Sequence, residues 1–466
     1  MSVSLAPVDL LLIAGYFSAV LLIGFLSKSK TESTDFLLAS RSLTLPIFVM
    51  TLVSTWYGGI LGVGEFSYLY GISNWVVQGV PYYIFALVFA LFLAKRIRAS
   101  NLLTIPDKLQ QSYDRKTAIL GSFLTFILVT PAPYALMLAV LLQLVTGWSY
   151  VLCLIIGTFA TIVYLLVGGF RSDVNTNVLE FVLMFLGFAV ILPFAYEKFG
   201  GFDFLQHNVP PQHLTWNGGN SMQFVLVWFF IALWTLVDPA FHQRCYAAKS
   251  GEVAQKGILV SIIFWFLFDA MTATAGLYAR AALPNLAQPV MAYPLLAELT
   301  LPPFAKGMFY IGMLATIMST LNSLSFISAT SLGRDIVWRW REEKDEANVT
   351  RYTQIGLIVT GLLAILLSVL IPSVIKLWYT IGTIVIPGLL VPLVASYFER
   401  FRIHAHYAFA AMLFGWLTST VWLLIGWTRQ LGSSEFYPLG IEPMYPGLVV
   451  SLLVWGWGRR KESAGD

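Results

Sequence analysis

Charged residues and cysteines are scarce in this chain. Asp, Glu, Lys and Arg make up only 11% of its 466 residues, whereas 58% are hydrophobic and the mean hydropathy is +0.76. A soluble domain of this length could not hide so much apolar surface, so the composition excludes a soluble protein and predicts a membrane protein. The two cysteines, Cys153 and Cys245, lie far apart in the sequence. Their spacing favours packing roles over a disulfide or a metal-binding pair.

Motifs for nucleotide binding and catalysis are also missing from the sequence. There is no P-loop, so we do not expect ATP to drive this protein. There is neither an HExxH motif nor a Ser-His-Asp arrangement, and His242 has no partner at a metal-binding spacing, so we expect a protein that is not an enzyme. The net charge of +4 comes from basic loops and requires no nucleic-acid partner. No basic region precedes the first apolar segment, which predicts a retained helix rather than a cleaved signal peptide.

Apolar segments close to the ~20 residues that a helix needs to cross a bilayer recur along the whole chain. They predict an all-α integral membrane protein with about thirteen transmembrane helices in one domain, residues 1–466. The predicted spans are 8–27, 44–69, 73–94, 117–147, 149–168, 174–196, 222–245, 256–280, 303–333, 352–372, 376–398, 405–427 and 445–458.

The basic residues alternate between loops as the positive-inside rule requires. With the N-terminus outside, every Lys and Arg falls in an inside loop except Lys198, Arg280, Lys306, Lys376 and Arg429. We therefore expect a multi-pass protein of the plasma membrane, specifically a bacterial inner membrane, with its N-terminus outside and its C-terminus in the cytoplasm. We expect its partners to be membrane lipids and a transported solute, and its state to be a monomer or a weak homo-oligomer.

Two spans contain helix-breaking residues at corresponding places. In the second span four glycines lie between residues 56 and 65, and in the seventh Asp238 is followed by Pro239. Glycine and proline weaken the helix and free backbone carbonyls, although close packing through small residues is the alternative. Since the interruptions lie five spans apart, they predict two inverted five-helix repeats. The expected parts are an extra N-terminal helix (8–27), the repeats 44–196 and 222–398, and two C-terminal helices (405–458).

The ninth span is rich in Ser, Thr and Asn between residues 313 and 336. A polar side chain that faces lipid costs free energy, so this helix must face protein, water or an ion. The adjacent Ser319 and Thr320 carry hard oxygen donors of the kind that bind a small alkali cation. The pattern predicts a transporter with an ion site in the membrane. The alternative is that both hydroxyls bond back to their own helix.

Four stretches of the chain resemble the motifs of one transporter family. They are residues 54–59 (STWYGG), 168–177 (GGFRSDVNTN), 243–249 (QRCYAAK) and 315–323 (ATIMSTLNS). In this order they are similar to the sodium:solute symporter family, which includes sugar, proline, pantothenate and choline cotransporters. The resemblance implies a five-plus-five inverted-repeat, leucine-transporter-like core and sodium-coupled import of a small organic solute by alternating access. A proton-coupled symporter of the same fold and a non-transporting solute sensor are the alternatives.

The resemblance also implies a site for sodium, the coupling ion, between the broken second span and the ninth span. Its ligands would be the carbonyls of Val53, Trp56 and Thr316 and the hydroxyls of Ser319 and Thr320. Oxygens freed by a broken helix suit this hard cation.

Two positions depart from the family motifs. Asn177 stands where some members have an aspartate implicated in a second sodium site, and Asn322 replaces another aspartate. The first change favours one sodium per cycle, unless Asp173 or Glu180 compensates for the missing charge.

Carboxylates and aromatic residues inside the spans are candidates for solute binding. Carboxylates in a membrane are costly and usually functional, although ion pairing or, for Asp238, capping of the broken helix is the alternative. Aromatic faces attract ammonium groups, and positions 56, 57, 234, 378 and 379 correspond to the family's central cavity. Gln78 and Tyr82 lie one helical turn apart and are expected to face the same cavity. The predicted solute-binding residues are Trp56, Tyr57, Glu65, Gln78, Tyr82, Trp234, Asp238, Asp269, Trp378 and Tyr379. Together they indicate a cationic or zwitterionic solute, or proton coupling.

Overall fold

The computed structural model describes residues 3–29, 33–341, 345, 347–429 and 437–463. Long apolar segments form helices here because a helix satisfies its backbone polar groups internally, which a bilayer requires. The helices of the first part of the chain are α1 (Pro7–Leu26), α2 (Ser33–Leu38), α3 (Leu45–Trp56), α4 (Ile60–Tyr70), α5 (Val80–Val88), α6 (Ala94–Ala99), α7 (Ile105–Ser112), α8 (Arg115–Leu128), α9 (Ala132–Thr146), α10 (Tyr150–Ile162) and α11 (Leu165–Phe199).

The second part of the chain is also helical. Its helices are α12 (Phe202–Asn208), α13 (Met222–Ile231), α14 (Trp234–Val237), α15 (Pro239–Ala247), α16 (Gly251–Ala282), α17 (Ala292–Thr300), α18 (Ala305–Thr330), α19 (Ala347–Leu370), α20 (Val374–Ser396), α21 (Ala405–Arg429) and α22 (Met444–Ser463). In the described parts of the chain these helices are joined by three π-helical segments and five short 3-10 turns. The π-helical segments are Trp75–Gly79, Phe89–Leu93 and Ser331–Trp338, and the 3-10 turns are Ala39–Arg41, Pro211–Leu214, Pro289–Met291, Glu399–Phe401 and Pro438–Gly440.

Each of the thirteen predicted spans overlaps a helix, but the count itself is only partly confirmed. Within the described residues, ten helices, or eleven with the bent α3–α4 pair, are long and apolar enough to cross a membrane. The remaining two predicted spans are α10, which is short, and α22, which ends in charged residues. The all-helical membrane architecture is confirmed.

The predicted break in the second span is present. Helices α3 and α4 meet at an angle of 59° across Tyr57–Gly59. The glycines are needed for close approach: a Cβ on Gly58 would overlap the Thr320 hydroxyl, and one on Gly59 would overlap the Trp378 ring. The break therefore brings the backbone of the second span against both α18 and α20.

The predicted break in the seventh span is also present. α14 ends at Val237, Asp238 is extended (φ −66°, ψ 117°), and Pro239 begins α15. The Asp238 carboxylate accepts hydrogen bonds from the amides of Ala240 (2.7 Å) and Phe241 (3.1 Å). It is thus the N-cap of α15, and proline at the first helical position fits because it has no amide to satisfy.

Helix α18, the polar ninth span, lies at the centre of the bundle. All of its 26 residues except Met308 are buried. α11 packs against it so closely that Gly187 and Gly312 face each other without side chains. Asp9 of α1 accepts hydrogen bonds from the amides of Phe304 (2.8 Å) and Gly307 (2.9 Å), which anchors the start of α18. The hydroxyl-rich helix therefore faces protein on all sides, as its composition predicts.

Candidate functional site

A cavity lies between the two broken helices. Eight of the ten predicted solute-binding residues line it: Trp56, Tyr57, Gln78, Tyr82, Trp234, Asp238, Asp269 and Trp378. Its volume is about 130 Å³, roughly ten times what one water molecule requires, so a small organic solute fits. The breaks create this space because each one ends a helix at the middle of the bundle and turns polar groups inward.

The other two predicted residues, Glu65 and Tyr379, do not line the cavity. Glu65 lies further along α4 and is partly exposed. Tyr379 donates a hydrogen bond to the carboxylate of Glu442, in the segment between α21 and α22. On each helix a wall position lies within two residues of one that faces elsewhere, Trp378 beside Tyr379 and Val63 before Glu65, and the sequence alone does not set the helix rotation that separates them.

Asp269 of α16 is buried in the cavity wall and is held by two phenols. Its Oδ1 accepts from Tyr57 and its Oδ2 from Tyr83. Tyr57 also lies 2.8 Å from the Thr272 hydroxyl, and Trp75 Nε1 donates to the Tyr83 hydroxyl at 3.1 Å. Both carboxylate oxygens are therefore fixed in place, and the side chain still lines the cavity.

Sequence reasoning missed Tyr83 because of the π-helical segment Trp75–Gly79. An ordinary helix places Gln78 and Tyr82 on one face, as predicted, and turns Tyr83 about 100° away. The wider π turn rotates the residues that follow it about the helix axis, so that Gln78, Tyr82 and Tyr83 all reach the cavity. Such turns often occur at functional sites, and Gly79 in this one leaves room for Asp269.

Aromatic rings form most of the cavity wall. Trp56 makes edge-to-face contacts with Tyr82 and Phe241, each with ring centroids 5.2 Å apart. Trp378 packs near Tyr134, with centroids 6.2 Å apart. Among the described residues that line the cavity, none is Lys, Arg or His. The wall therefore combines two carboxylates with many aromatic rings and carries no positive side chain.

The predicted ion-site residues lie beside this cavity, where α18 meets the end of α3. The Ser319 hydroxyl donates to the carbonyls of Ser54 (2.9 Å) and Thr316 (3.0 Å). The Thr320 hydroxyl donates to the carbonyls of Thr55 (2.6 Å) and Ser54 (3.4 Å). Two hydroxyls and three carbonyls thus converge from two helices.

The α3 carbonyls at this meeting point are not the two in the predicted ligand set. Thr316, Ser319 and Thr320 are where the prediction puts them. On α3 the carbonyls that meet the hydroxyls are those of Ser54 and Thr55, which lie between the predicted Val53 and Trp56. The donor set is entirely hard oxygen, which fits a sodium ion.

A buried ion pair adjoins the ion site. Arg244 of α15 and Asp173 of α11 are fully buried, with their charged atoms 3.1 Å apart. The same guanidinium nitrogen donates to the hydroxyls of Thr55 and Ser323, both at 2.8 Å. Asn177 Nδ2 lies 3.3 Å from the Thr55 hydroxyl. Thr55 therefore belongs to both sites, through its carbonyl to the ion site and through its hydroxyl to the ion pair.

This ion pair changes two expectations. The topology prediction puts Arg244 in an inside loop, whereas it lies buried within the bundle. The sequence leaves Asp173 as a possible replacement for the negative charge that is missing at Asn177. In the structure the charge of Asp173 is already neutralised by Arg244. Glu180, the other candidate, accepts a hydrogen bond from Tyr16 of α1 at 3.1 Å.

The close approach at Gly58 leads to a first prediction. Gly58→Ala would press a methyl group against Thr320, so we expect the free energy of unfolding to fall by about 1–3 kcal/mol, the usual cost of overpacking. Gly15→Ala is the control, because Gly15 has open space around it and alanine favours a helix. Denaturant unfolding of both variants checks this. Equal stability of the two variants would show that the break adapts.

Comparisons with known proteins identify the family of this chain. The model of the sodium:solute symporter family matches residues 36–415. The chain is 27% identical to the sodium/pantothenate symporter of Haemophilus influenzae, over 92% of this chain and 90% of that protein. It is 26% identical to the high-affinity choline transporter 1 of Drosophila melanogaster, over 78% of this chain and 62% of that one.

A solved structure shows the same fold. The chain superposes on a Na+-coupled sialic acid symporter, in its substrate-bound outward-open state, with a TM-score of 0.78 and 15% identity over 97% of both chains. The likeness establishes the leucine-transporter-like fold that the family resemblance implies. The family match covers most of the sequence, including both broken helices and α18. The chain therefore belongs to the sodium:solute symporter family, and it is a sodium-coupled solute symporter that works by alternating access.

Proposed function

We propose that this symporter imports a small organic cation or zwitterion, bound between the two broken helices by Asp238, Asp269 and the surrounding aromatic rings. The observation that carries the proposal is the charge of the cavity wall. It has two carboxylates, no Lys, Arg or His among its described residues, and rings on most sides.

The physical argument rests on the cost of charge in an apolar site. A carboxylate away from water requires a positive partner, and an ammonium group on the solute provides one. Aromatic faces add attraction to the same group, including to a methylated ammonium that has no N–H to donate. An anionic solute would instead meet like charges at low dielectric. Of the two named relatives, the choline transporter has a substrate of the favoured charge, whereas pantothenate carries a carboxylate.

For the ion, we propose a single sodium site that joins α3 to α18. Its ligands are the hydroxyls of Ser319 and Thr320, the carbonyl of Thr316, and carbonyls at the end of α3. On α3 these are the carbonyls of Ser54 and Thr55, which meet the two hydroxyls, or those of Val53 and Trp56 on either side of them. Such an ion bridges the broken helix and α18, so it binds more tightly to the conformations in which these two helices touch. Coupling requires this difference in ion affinity between conformations.

The architecture and setting complete the proposal. We assign residues 44–196 and 222–398 to the two repeats, with helix 8–27 before them and helices 405–458 after them. We place the protein in a plasma membrane with its N-terminus outside. The membrane potential then adds about 2.3 kcal/mol per imported charge for each 100 mV.

Proton coupling is the second candidate, and one observation favours it. The Asp269 carboxylate is buried in the cavity wall, and among the described residues its oxygens accept hydrogen bonds from two neutral phenols and from no cation. A carboxylate in a membrane span without a cationic partner is a candidate proton carrier. Uptake that follows pH and ignores sodium would support this candidate over the sodium site.

The solute class gives a second prediction. Asp269→Asn and Asp238→Asn keep the shape of each side chain and remove its charge. For a transported organic cation such as choline, we expect each to raise KM about 10- to 100-fold, because a hydrogen bond to a charged group contributes about 1.5–3 kcal/mol. Radiolabelled uptake into proteoliposomes, with sodium outside, measures this.

Glu65→Gln is the matched control for this experiment. It removes a carboxylate from α4 that does not line the cavity, so we expect KM to stay within about twofold, as for a substitution outside the site. Saturable, sodium-driven uptake of an organic anion, with organic cations failing to compete, would contradict the proposed solute class. That result would not contradict the proposed sodium site.

A further inference from the structure

Helix α20 rests on both broken helices. Its Trp378 lies against Gly59 and Gly62, at the break between α3 and α4, where only glycines leave room for the ring. One turn later Gly382 packs on the ring of Trp234 in α14. A motion that separates the broken helices at this point therefore changes the contacts of Trp378 and Gly382 on α20.

The neighbour of Trp378 ties α20 to the C-terminal helices. Tyr379 donates a hydrogen bond to Glu442, which lies in the segment between α21 and α22. The described end of this segment, residues 437–443, makes hydrogen bonds to two helices. Its Gly440 carbonyl accepts from Gln223 of α13 at 2.8 Å, and its Pro443 carbonyl accepts from Ser419 of α21 at 2.9 Å.

We propose that Glu442 is a positioning residue of the transport cycle, which through Tyr379 holds α20 so that Trp378 stays seated on the broken helix until the link is released. The proposal goes beyond the solute class and holds for any solute. It also gives a role to two helices that lie outside the repeats. A short link of this kind suits a gate because one net hydrogen bond changes the population of a state only modestly.

The surroundings of Glu442 make the link sensitive to pH. The tyrosines Tyr379 of α20 and Tyr445 of α22 interact with it, and no Lys, Arg or His is paired with it in the described part of the chain. Burial raises the pKa of Glu442 from 4.5 to about 7. The protonated carboxyl still accepts from Tyr379 through its carbonyl oxygen, whereas ionising the buried group costs desolvation free energy that exposure to water removes, so ionisation favours release. The link is therefore complete at low pH and weakens as pH rises through about 7.

Thiol labelling of the cavity tests this without a known solute. Both native cysteines are buried, so a cysteine introduced at Val63, in the cavity wall, is the only target among the described residues. The parent carries Val63→Cys alone, and the test variants add Glu442→Gln or Tyr379→Phe. Labelling by a small methanethiosulfonate is followed in proteoliposomes between pH 6 and 8. Dividing the parent rate by the Glu442→Gln rate cancels the titration of the thiol itself.

We expect this ratio to rise about three- to tenfold with pH, the range that one net hydrogen bond supports. Glu442→Gln keeps an acceptor that does not titrate, so its labelling should stay slow. Tyr379→Phe has no link, so it should label faster than Glu442→Gln at every pH by a constant ratio. Tyr445 lies near Glu442 but makes no side-chain hydrogen bond to it in the described part of the chain, so Tyr445→Phe should behave as the parent does.

Two results would overturn the proposal. One is a parent ratio that does not change with pH. The other is a pH-dependent ratio that persists in Tyr379→Phe. Thermal stabilisation by sodium, measured on each variant, shows that the bundle is folded, since the ion site lies on α18 and α3 and not on α20. If one variant does not fold, the parent profile and the remaining variant still decide the question.

Discussion

Ser319→Ala/Thr320→Ala will remove the stabilisation of this protein by sodium. With sodium at about 100 times its dissociation constant, the intact site should add about 2.7 kcal/mol to the free energy of unfolding. The double variant loses two of the oxygens that converge between α18 and α3, at 2.9 Å and 2.6 Å from the facing carbonyls. We expect the difference between sodium and potassium chloride to vanish, and sodium-driven uptake with it.

The quantity to compare is the difference in stability between sodium and the other salts, because the substitutions also remove hydrogen bonds that exist without the ion. Each such bond contributes about 0.5–1.5 kcal/mol in every salt. Thermal unfolding in sodium, potassium and choline chlorides at equal ionic strength separates the two effects. Ser325→Ala/Ser328→Ala is the matched control, because these hydroxyls lie further along α18 and do not meet α3. A sodium effect that survives in the test variant would place the ion elsewhere.

The second large effect is expected at the buried ion pair. Arg244→Met leaves the Asp173 carboxylate buried without its cation, and breaking a buried pair in this way costs about 3–5 kcal/mol. The same nitrogen also bonds to Thr55 and Ser323, so their hydroxyls lose a donor. We expect the free energy of unfolding to fall by this amount, measured by denaturant titration in detergent.

A double-mutant cycle isolates the charge from the packing. Arg244→Met/Asp173→Asn removes both charges, so most of the lost stability should return, because a buried pair is often replaceable by neutral residues. The exposed pair Lys256–Glu252, 3.6 Å apart, provides the control: Lys256→Met should cost less than about 1 kcal/mol. A double variant as unstable as Arg244→Met alone would show that the guanidinium acts through packing and not through its charge.

The ion pair and the ion site should also be coupled in function. Thr55 joins them, since its hydroxyl contacts Arg244 and its carbonyl accepts from Thr320. The neutral double variant should therefore fold and yet bind sodium more weakly than the wild type. Unchanged sodium affinity in that variant would show that Thr55 keeps its position without the pair.

Much of the fold followed from local sequence features. Long apolar segments predict helices because lipid allows few other structures. Glycines at 58 and 59 and the Asp238–Pro239 pair predict the two breaks, since these residues act through their own backbone geometry. The polar residues of α18 predict a helix surrounded by protein. Each of these inferences depends on one segment and its solvent, and each is present in the structure.

Contacts between segments that are distant in the chain could not be predicted from the sequence. Arg244 reads as a loop residue until α11 brings Asp173 beside it. Tyr83 reads as a residue outside the cavity until a π turn rotates it inward. Tyr379 reads as a cavity residue until Glu442, 63 positions later, takes its hydroxyl.

Local sequence features therefore predict the helices, their breaks and the residue types that gather at the centre. The packing of the bundle sets which carbonyls meet Ser319 and Thr320, which carboxylates face the cavity, and which charge neutralises Asp173. The physical reason is that a break or a span depends on local backbone energetics and on the bilayer. A partner depends instead on helix rotation and register, which are set by packing among helices far apart in the chain.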